Sequence, residues 1–441
     1  MRKKLLGAIL CATMALTALT GCSGGNKEDV PSVYYMNFKP EVTEVWEDIA
    51  KAYTEETGVP VKVVTAAGGN YESTLKSEIV KSDAPTLFQI NGPIGYQSWK
   101  DYCADLSETE FYNALSDKEL AIKGADGGVY GVPYTIEGYG IIYNLEIMNK
   151  YFAMDGAVVT SIDKINSFDV LKAVVEDMQT KKDSLGIKGV FASTSLLPGE
   201  EWRWNTHLAN LPINAEYVEN SVFDMEEITF SYNENFKKIF DLYLNNSTAE
   251  AKMLGSKGVS DSMAEFALGQ CAMVQNGNWA WGQIAEVSGN VVKEENIGFL
   301  PIYMGLDGEE NQGLCIGTEN YFCINSEASE MDQKATADFV YWLINSETGK
   351  NYMVNELKNI APFTTFADEE KPTDPLAKSM LASMESGKTA IPWIFTTFPS
   401  QTFKDNFGSA LLEYAQGTMD WSGVTNVVVE QWKTEKALIK K

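Results

Sequence analysis

Residues 30–90 alternate short apolar runs with longer stretches whose apolar positions recur at helical spacing. Between residues 42 and 53 these positions follow one helix face, and Gly58 is the kind of residue that ends a helix. A second helix is predicted over residues 71–81. The apolar runs predict strands at 32–36, 61–64 and 85–90. This β-α-β-α-β order favours an α/β lobe with a largely parallel sheet, in which ligands bind beyond the carboxyl ends of the strands.

The stretch VYGVPYTIEGYGIIYN at residues 129–144 has the pattern of a strand that is broken in its middle. Pro133 and the small residues around Glu137 interrupt it, as expected where a chain crosses between two lobes. The alternation of strand and helix patterns continues downstream. Helices are predicted at 167–181, 233–244, 335–345, 349–357 and 402–416, and residues 263–268 are predicted to end another helix. Strands are predicted at 271–274 and 297–301, and paired strand segments within 315–325.

The N-terminus has the organisation of a bacterial lipoprotein signal. Basic residues at 2–4 precede an apolar run at 5–19, and the sequence LTGC that ends at Cys22 resembles a lipobox. We expect residues 1–21 to be removed and Cys22 to carry lipid, with residues 22–30 forming a flexible tether. No later apolar stretch is long enough to span a bilayer, so the folded body is expected outside the cytoplasm, attached to the cell membrane only by its lipid.

Length, composition and charge limit the kinds of protein this chain can be. At 441 residues it is too long for one ordinary domain, and 44% apolar residues suffice for large packed cores. The formal net charge of −26 becomes −29 when the three basic residues of the signal are removed. Such a surface repels nucleic acid and anionic lipid and favours neutral or cationic ligands, although an acidic surface is also ordinary for a secreted protein.

Residues suited to metal binding or nucleophilic catalysis are few. Beyond Cys22 the cysteines are Cys103, Cys271, Cys315 and Cys323, without a CxxC pair, and His207 is the only histidine. A zinc site or a histidine-based triad is therefore poorly supplied, and no metal, cofactor or catalytic residue is predicted. The cysteines are expected to be small buried thiols, and a disulfide remains open because the compartment permits one.

Five segments carry a resemblance to a known family. They are YTEETG at 53–58, VPYTIEGYGIIYN at 132–144, FALGQCAMVQNGNWAWGQI at 266–284, GFLPI at 298–302 and FVYWLINSETGKNYM at 339–353. In this order, behind a lipobox, they resemble the extracellular solute-binding proteins of carbohydrate ABC importers, family 1, the group that includes the maltose-binding protein. The resemblance covers nearly the whole mature chain. It implies an α/β, two-lobed periplasmic-binding-protein-like fold with a ligand cleft between lobes that close by hinge motion.

The resemblance also implies a function and a division of the chain. A monomer would capture a carbohydrate, expected to be an oligosaccharide, and deliver it to the transmembrane permease subunits of an ABC importer without making or breaking a bond. The N-terminal lobe is expected from residues 31–134 and 303–362, the C-terminal lobe from 140–297 and 370–441, and the hinges at 135–139, 298–302 and about 363–369.

The stretch AMVQNGNWAW at residues 272–281 contains two tryptophans close to an Asn-Gly pair. Residues two apart on a helix do not share a face. If Asn278 caps the helix, Trp279 lies in its first turn and faces the cleft, while Trp281 packs in the core. Flat aromatic side chains suit the C–H face of a sugar ring, and amides or carboxylates suit its hydroxyls. A stacking tryptophan falls at the Trp279 position in the resembling family, and the alternative is that both tryptophans are core residues.

Other candidates lie at strand ends, in the crossing segment and in two aromatic loops. The resemblance implies that Glu137 accepts sugar hydroxyls, and the alternative is a solvated hinge carboxylate. In GEEWRWN at 199–205, at least one tryptophan is expected to contact the ligand, and a stack of Arg203 on its neighbours is the alternative. The IPWIFTTFP loop at 391–399 adds two aromatics that can equally be core. The remaining candidates are Asn37, Phe38, Glu41, Asn91, Glu201, Trp202, Trp204, Asn278, Trp393 and Phe398.

Two departures and two rival functions qualify this assignment. Asn91-Gly92 and the Lys39-Pro40-Glu41 segment replace charged pairs of the maltose-binding protein, so another sugar or oligosaccharide is expected. A lipid-anchored glycoside hydrolase would need two carboxylates about 5–10 Å apart, and no hydrolase motif is present. A cationic ligand such as a polyamine, held by aromatics and acids, is the second alternative.

Overall fold

The computed structural model describes residues 30–66, 70–367 and 369–439. From Pro31 onward these residues belong to one compact unit that contains two sheets. The predicted signal peptide and lipidated Cys22 lie outside the described residues, as does nearly all of the tether. None of the helices described has both the length and the apolar character needed to cross a membrane.

The strands and helices alternate along the chain as expected. The strands are β1 Val33–Asn37, β2 Val61–Thr65, β3 Leu87–Ile90, β4 Ile122–Lys123, β5 Val129–Pro133, β6 Glu137–Asn144, β7 Met273–Gly277, β8 Ile297–Leu300, β9 Gln312–Gly317, β10 Tyr321–Ile324 and β11 Thr389–Pro392. The α-helices are α1 Thr43–Thr57, α2 Tyr71–Glu78, α3 Pro93–Trp99, α4 Glu110–Asn113, α5 Leu145–Phe152, α6 Phe168–Thr180, α7 Lys182–Leu185, α8 Ala209–Glu219, α9 Asn233–Asn245, α10 Val259–Ala267, α11 Ala280–Ala285, α12 Glu330–Asn345, α13 Glu347–Asn351, α14 Pro375–Glu385, α15 Gln401–Gln416 and α16 Trp421–Ile439. Two π-helical segments, Arg203–Leu208 and Tyr352–Glu356, lie among them.

The first lobe is built on a six-stranded sheet of order β2-β1-β3-β10-β5-β4. Strands β1, β2 and β3 are parallel, as their alternation with helices predicts. Helix α1 buries Trp46, Ile49 and Tyr53 on one face, which is the apolar spacing of the sequence. It ends at Gly58, whose φ of 77° is left-handed and therefore favours glycine. This arrangement brings the carboxyl ends of β1 and β3 to one edge of the sheet.

The second lobe surrounds a five-stranded sheet of order β11-β9-β6-β7, to which β8 adds beside β6. Its β6, β7, β8 and β9 pair with one another in antiparallel fashion, and β11 pairs in parallel with β9. The first sheet is parallel across β2, β1 and β3 but antiparallel where β10, β5 and β4 join it, so the largely parallel sheet expected from the sequence is limited to the first three strands. Asn276 and Gly277 are the last residues of β7, so this strand extends beyond the predicted range of 271–274. Each lobe has its own apolar core, and the thiols of Cys103, Cys271, Cys315 and Cys323 are free and buried.

The chain crosses between the sheets at two short segments and again after residue 363. The crossing predicted near Glu137 is present, because β5 belongs to the first sheet and β6 to the second. The second crossing lies at 318–320, between β9 and β10, which belong to different sheets and are not paired as predicted. The expected crossing at 298–302 instead contains β8, which pairs with β6 inside the second sheet. The third crossing follows Phe363, which forms a β-bridge to Leu115 in the first lobe, and precedes α14, which packs on β8 and β9 in the second lobe.

Candidate ligand-binding site

A cavity of about 210 Å³ lies between the two lobes. It opens at the carboxyl ends of β1 and β3, where α/β sheets commonly bind ligands. Its lining comes from both lobes and both crossing segments: Phe38, Lys39, Pro40, Glu41, Tyr71, Glu72, Asn91, Glu137, Gly199, Glu201, Trp202, Arg203, Asn205, Thr206, His207, Trp279, Gln283, Glu319, Gln401 and Lys404. A depression of about 420 Å³ on α1 and β2 is larger, but no aromatic side chain lines it.

The lobes touch beside this cavity, which the backbone of Gly92 permits. A Cβ atom at Gly92 would lie 2.6 Å from the Cβ atom of Thr396, a residue packed in the second lobe. The φ of 87° at Gly92 is itself left-handed. A glycine is therefore required at the end of β3 for the two lobes to approach this closely.

Trp279 and Trp202 form an aromatic wall on the second lobe. Their ring centroids are 6.1 Å apart with a 42° interplanar angle, and both side chains are half-buried. The Trp279 ring lies directly over Gly277, where an added Cβ atom would come within 2.1 Å of the indole. Trp393 packs edge-on against Trp279 at 6.4 Å. The indole of Trp279 is therefore held in position while one part of it faces the cavity.

The two tryptophans of the NWAW segment lie in different environments, as predicted, but Asn278 does not cap the helix that follows. Trp279 lines the cavity, and Trp281 is buried in the core with only 7% of its surface exposed. The residue before the helix is Trp279 itself, because α11 begins at Ala280. The side chain of Asn278 instead accepts a hydrogen bond from the backbone N–H of Gly138, at 2.9 Å. Asn278 thus joins β7 to the crossing segment and does not cap the helix.

Glu137 and Lys39 form an ion pair between the crossing segment and the loop after β1. Only 13% of the Lys39 side chain and 5% of the Glu137 side chain are exposed. The other carboxylate oxygen of Glu137 accepts a hydrogen bond from Asn320 Nδ2 at 2.7 Å. Burial lowers the pKa of Lys39, but the charge and hydrogen bond of Glu137 together with Tyr134 and Glu41 raise its pKa overall. Glu137 is therefore a paired, buried carboxylate and not a solvated hinge residue.

Among the residues that the structure describes, two further cations on the second lobe have no counter-ion. The Arg203 guanidinium stacks on Trp202 at 3.8 Å, as the cation–π alternative predicts, and its Nε and Nη1 atoms lack partners. Burial lowers the pKa of Arg203 to about 9. Lys404 on α15 is 9% exposed, and in the described part of the chain its ammonium has no partner. Burial lowers its pKa despite the opposing effects of Glu319 and Glu72.

His207 is held neutral behind this wall. Its ring stacks on Tyr139 at 4.1 Å with an interplanar angle of 4°. Burial lowers its pKa well below the usual value, and Arg203 and Lys404 lower it further. The only histidine of the chain therefore acts as a packed, uncharged ring at this site.

Glu319 lies in the second crossing segment and lines the cavity half-buried. Burial raises its pKa from 4.5 to about 7, and Glu137 and Glu41 add to the rise while Lys404 and Lys39 oppose it. Among the described residues its carboxylate has no hydrogen-bond partner. It is an ionisable group at the base of the cleft that is free to contact a ligand.

This raised pKa predicts a pH-dependent stability. Between pH 4.5 and about 7 the unfolded chain loses the Glu319 proton while the folded chain keeps it, so the contribution of this group to stability falls as pH rises and is constant above pH 7. Urea unfolding from pH 5 to 8 should show Glu319→Gln gaining stability relative to the parent over that interval. A parent-to-variant difference that does not change with pH would contradict this assignment.

Seven of the sequence candidates meet at the cavity. These are Phe38, Glu41, Asn91, Glu137, Glu201, Trp202 and Trp279. Asn37 is fully buried, and its side chain binds both backbone polar groups of Lys39, so it shapes the loop behind the cavity. Trp393 lies behind the lining, against Trp279, and Asn278 lines an adjoining cavity of about 140 Å³.

Two candidates, Trp204 and Phe398, are core residues and do not line the cavity, so the contact with a ligand expected of them is wrong. Trp204 donates its indole N–H to the Ser195 carbonyl at 2.9 Å and packs against Tyr243. Phe398 is fully buried between Phe403 and Trp432. In each case the side chain points into the apolar interior of the second lobe, which is the alternative that the sequence left open.

The sequence prediction missed several polar residues of the cavity. Lys39 could have been predicted, since it follows Phe38 in the loop at the carboxyl end of β1, where ligands are expected to bind. Lys404 and Glu319 had none, because a lysine on a helix and a glutamate between two strands are ordinary surface patterns. Glu72 and Gln283 were missed for the same reason.

The fold and an interlobe cavity define a two-lobed binding protein, and comparisons identify its family. The family of bacterial extracellular solute-binding proteins matches residues 48–379, so the chain belongs to this family. Its members bind solutes outside the cytoplasm. No curated protein matches the chain.

Solved structures of the same fold cover nearly the whole chain at low identity. A chitin oligosaccharide binding protein has 17% identity and a TM-score of 0.72, covering 93% of this chain and 100% of its own. The binding protein RafE in complex with raffinose has 19% identity and a TM-score of 0.70, with 92% and 99% covered. A Bacillus licheniformis sugar transporter in complex with stachyose has 16% identity and a TM-score of 0.67, with 91% and 99% covered.

Proposed function

We propose that this protein captures a sugar in the cleft between its lobes and delivers it to the permease subunits of an ABC importer. The observation that carries the proposal is the combination of two indole rings with unpaired charged groups in one cavity. A sugar ring offers an apolar C–H face to an aromatic ring and hydroxyls to polar groups at its edge. Buried polar groups are normally hydrogen-bonded, so a bound sugar would supply the missing partners. The solved relatives named for raffinose, stachyose and chitin oligosaccharide support this class of ligand.

The cavity residues would divide the work between stacking and hydrogen bonding. Trp279 and Trp202 would stack on sugar rings. Arg203 and Lys404 would donate to hydroxyl oxygens, and the free carboxylate of Glu319 would accept from hydroxyl groups. Phe38, Glu41, Asn91 and Glu201 would complete the contacts, and Glu137 would act through its ion pair with Lys39.

The charges of the cavity act in both directions on a cationic ligand. Arg203 and Lys404, which have no counter-ion among the described residues, would repel a polyamine. Five glutamates of the same lining would attract it: Glu41, Glu72, Glu137, Glu201 and Glu319. The two indole rings and the sugars named for the solved relatives favour a hydroxyl-rich ligand, and the panel that follows includes amines and an assay for hydrolysis.

A thermal-shift panel tests the proposed function. A ligand that binds only the folded state raises the melting temperature with its concentration. The panel contains raffinose, stachyose, chitin oligosaccharides and maltose, with spermidine and choline as the cationic arm. At least one sugar should raise the melting temperature without producing new reducing ends. Stabilisation by the amines alone, or hydrolysis of a sugar, would contradict the proposal.

Lipid anchoring at Cys22 is a separate prediction, which rests on the lipobox sequence. Changing Cys22→Ser removes the thiol that would carry lipid, and the sequence predicts no other membrane anchor. The variant should move from the membrane fraction to the soluble fraction of the producing cells. The substitution leaves the surface charge unchanged, so the parent protein serves as the control. If the variant stays with the membranes, the lipobox interpretation is wrong.

A further inference from the structure

Arg203 carries a buried charge that the described residues leave unpaired. Only 3% of its surface is exposed, and its guanidinium stacks on the ring of Trp202 at 3.8 Å. Its Nε and Nη1 atoms are buried without a hydrogen-bond partner, although the residue lines the interlobe cavity. A buried charge is normally paired or hydrogen-bonded, because its removal from water is costly. The guanidinium therefore favours an anion that enters from outside the chain.

Lys404 brings a second unpaired cation to the same wall. It is 9% exposed, lines the cavity, and makes no hydrogen bond or ion pair through its ammonium group with any described residue. Its carbonyl accepts a hydrogen bond from Asn205 Nδ2 at 2.7 Å, which joins α15 to the π-helical segment that begins at Arg203. Both cations lower the pKa of the His207 ring, so both act at this end of the cavity. An anion bound here would be attracted by both charges.

The charges of Glu137 and Glu41 do not remove this attraction. Glu137 forms an ion pair with Lys39 and accepts a hydrogen bond from Asn320. Glu41 raises the pKa of Arg203, but it is exposed and forms no ion pair with it, so water screens its charge. The chain has a formal net charge of −26, but salt limits the reach of exposed charges to about 8 Å at physiological ionic strength. The buried cations therefore act more strongly inside the cavity than the acidic surface does.

The other three glutamates of the lining have raised pKa values. Burial raises the pKa of Glu72 and of Glu201, and it raises the pKa of Glu319 to about 7. Glu72 also accepts a hydrogen bond from Trp99 Nε1 at 2.9 Å. A bound anion would raise these pKa values further, and a protonated carboxyl group donates a hydrogen bond instead of repelling an anion. These side chains can thus take up a proton when an anionic ligand binds.

The groups beside Arg203 indicate which anion the site fits. A guanidinium binds both oxygens of a carboxylate at once, which a single hydroxyl group cannot match. The indole rings of Trp202 and Trp279 lie next to it, with centroids 6.1 Å apart, and offer flat apolar surfaces to a ring. A sugar acid has both parts, because its carboxylate is attached directly to a ring carbon.

We propose that the bound sugar carries a carboxylate, as a uronic acid does, and that Arg203 and Lys404 bind this group. The proposal rests on the proposed function and narrows its ligand to an acidic sugar. The two cations bind the carboxylate in place of neutral hydroxyls, while Trp202 and Trp279 bind the ring. A neutral sugar would fill the cavity but leave the guanidinium without a counter-ion.

Calorimetric titration with sugar acids and their methyl esters tests the proposal. The probes are galacturonic, glucuronic, digalacturonic and trigalacturonic acids, each compared with its methyl ester, and galactose and glucose as neutral sugars. Esterification removes the negative charge but keeps the ring and its hydroxyls. The parent should bind at least one acid on the order of tenfold or more tightly than its ester, because hydrogen bonds between charged groups are the stronger ones.

Two variants locate the carboxylate. Arg203→Gln and Lys404→Gln each remove one cation and keep a polar side chain, so each should lower the ratio of acid affinity to ester affinity on the order of threefold or more. If one of them does not fold, the other still reports on the group. Lys172→Gln is the matched control, because Lys172 is exposed on α6 and does not line the cavity. It changes the net charge equally and should keep the ratio of the parent.

The possible failures are distinguishable. If no acid binds more tightly than its ester, the proposal fails, while binding of a neutral sugar leaves the proposed function standing. An unchanged ratio in both Arg203→Gln and Lys404→Gln would also overturn it, because the carboxylate would then bind elsewhere. The same holds if inorganic phosphate raises the melting temperature of the parent as much as the acids do, which would indicate an anion site without a sugar. If neither these probes nor the sugars of the thermal-shift panel bind, the proposed function fails as well.

Discussion

Replacing Trp279 by alanine is expected to weaken sugar binding by about 2–4 kcal/mol, the range of a central aromatic contact residue. The reason is that Trp279 lines the interlobe cavity, and its ring is held over Gly277 and against Trp393. Deletion of the indole would remove the stacking surface at the centre of the cleft. The fold should survive, because the side chain is only half-buried. Calorimetric titration of the best sugar of the panel measures the loss.

Trp281 provides the matched control, since it is the same residue type two positions further along. It is buried in the core beside α10, so its replacement by alanine should cost about 3–5 kcal/mol of folding stability, with a smaller effect on intrinsic affinity. Urea unfolding of both variants completes the comparison. If Trp279→Ala binds as well as the parent, or if the two phenotypes are exchanged, the assignment of the two tryptophans is wrong.

Removing the carboxylate of Glu137 is expected to have the second large effect. Glu137→Ala would leave the ammonium of Lys39 buried without its counter-ion, and breaking one side of a buried ion pair costs about 3–5 kcal/mol. The free energy of unfolding should fall by an amount in this range. Sugar binding should fall as well, because Lys39 lines the interlobe cavity.

A double variant separates the ion pair from the remaining contacts of Glu137. Glu137→Ala combined with Lys39→Met removes both charges, so it should recover part of the stability lost in Glu137→Ala. Glu137→Gln retains an oxygen that can accept from Asn320 and should be less destabilised than Glu137→Ala. A Glu137→Ala protein as stable as the parent would show that the pair contributes nothing to the fold.

Much of the first lobe could be predicted, because its signals are local. The helix before Gly58 and the three parallel strands follow directly from apolar spacing. The crossing near Glu137 was also predictable, since Pro133 and the small residues beside Glu137 interrupt an otherwise apolar strand. The different positions of Trp279 and Trp281 were also predictable, although Trp279 precedes α11 and Asn278 does not cap this helix.

The remaining features depend on contacts between distant parts of the chain. Strand β9 and strand β10 are close in sequence and look like a pair, but each finds its partners in a different sheet. Trp204 and Phe398 are aromatic residues in loops, and only the packing of the second lobe decides that they are buried. Lys404 is brought to the cavity by α15, and an isolated lysine in a helix carries no signal of this.

The most direct test of the central claim is a crystal structure of the protein with the tightest-binding sugar of the panel. We expect a sugar ring to lie flat on the indole of Trp279, with carbon atoms about 3.5–4 Å from the ring plane. Hydroxyls of the same sugar should reach Arg203, Lys404 or Glu319. A sugar bound elsewhere, as in the depression on α1 and β2, or one that leaves Trp279 uncovered, would contradict the account.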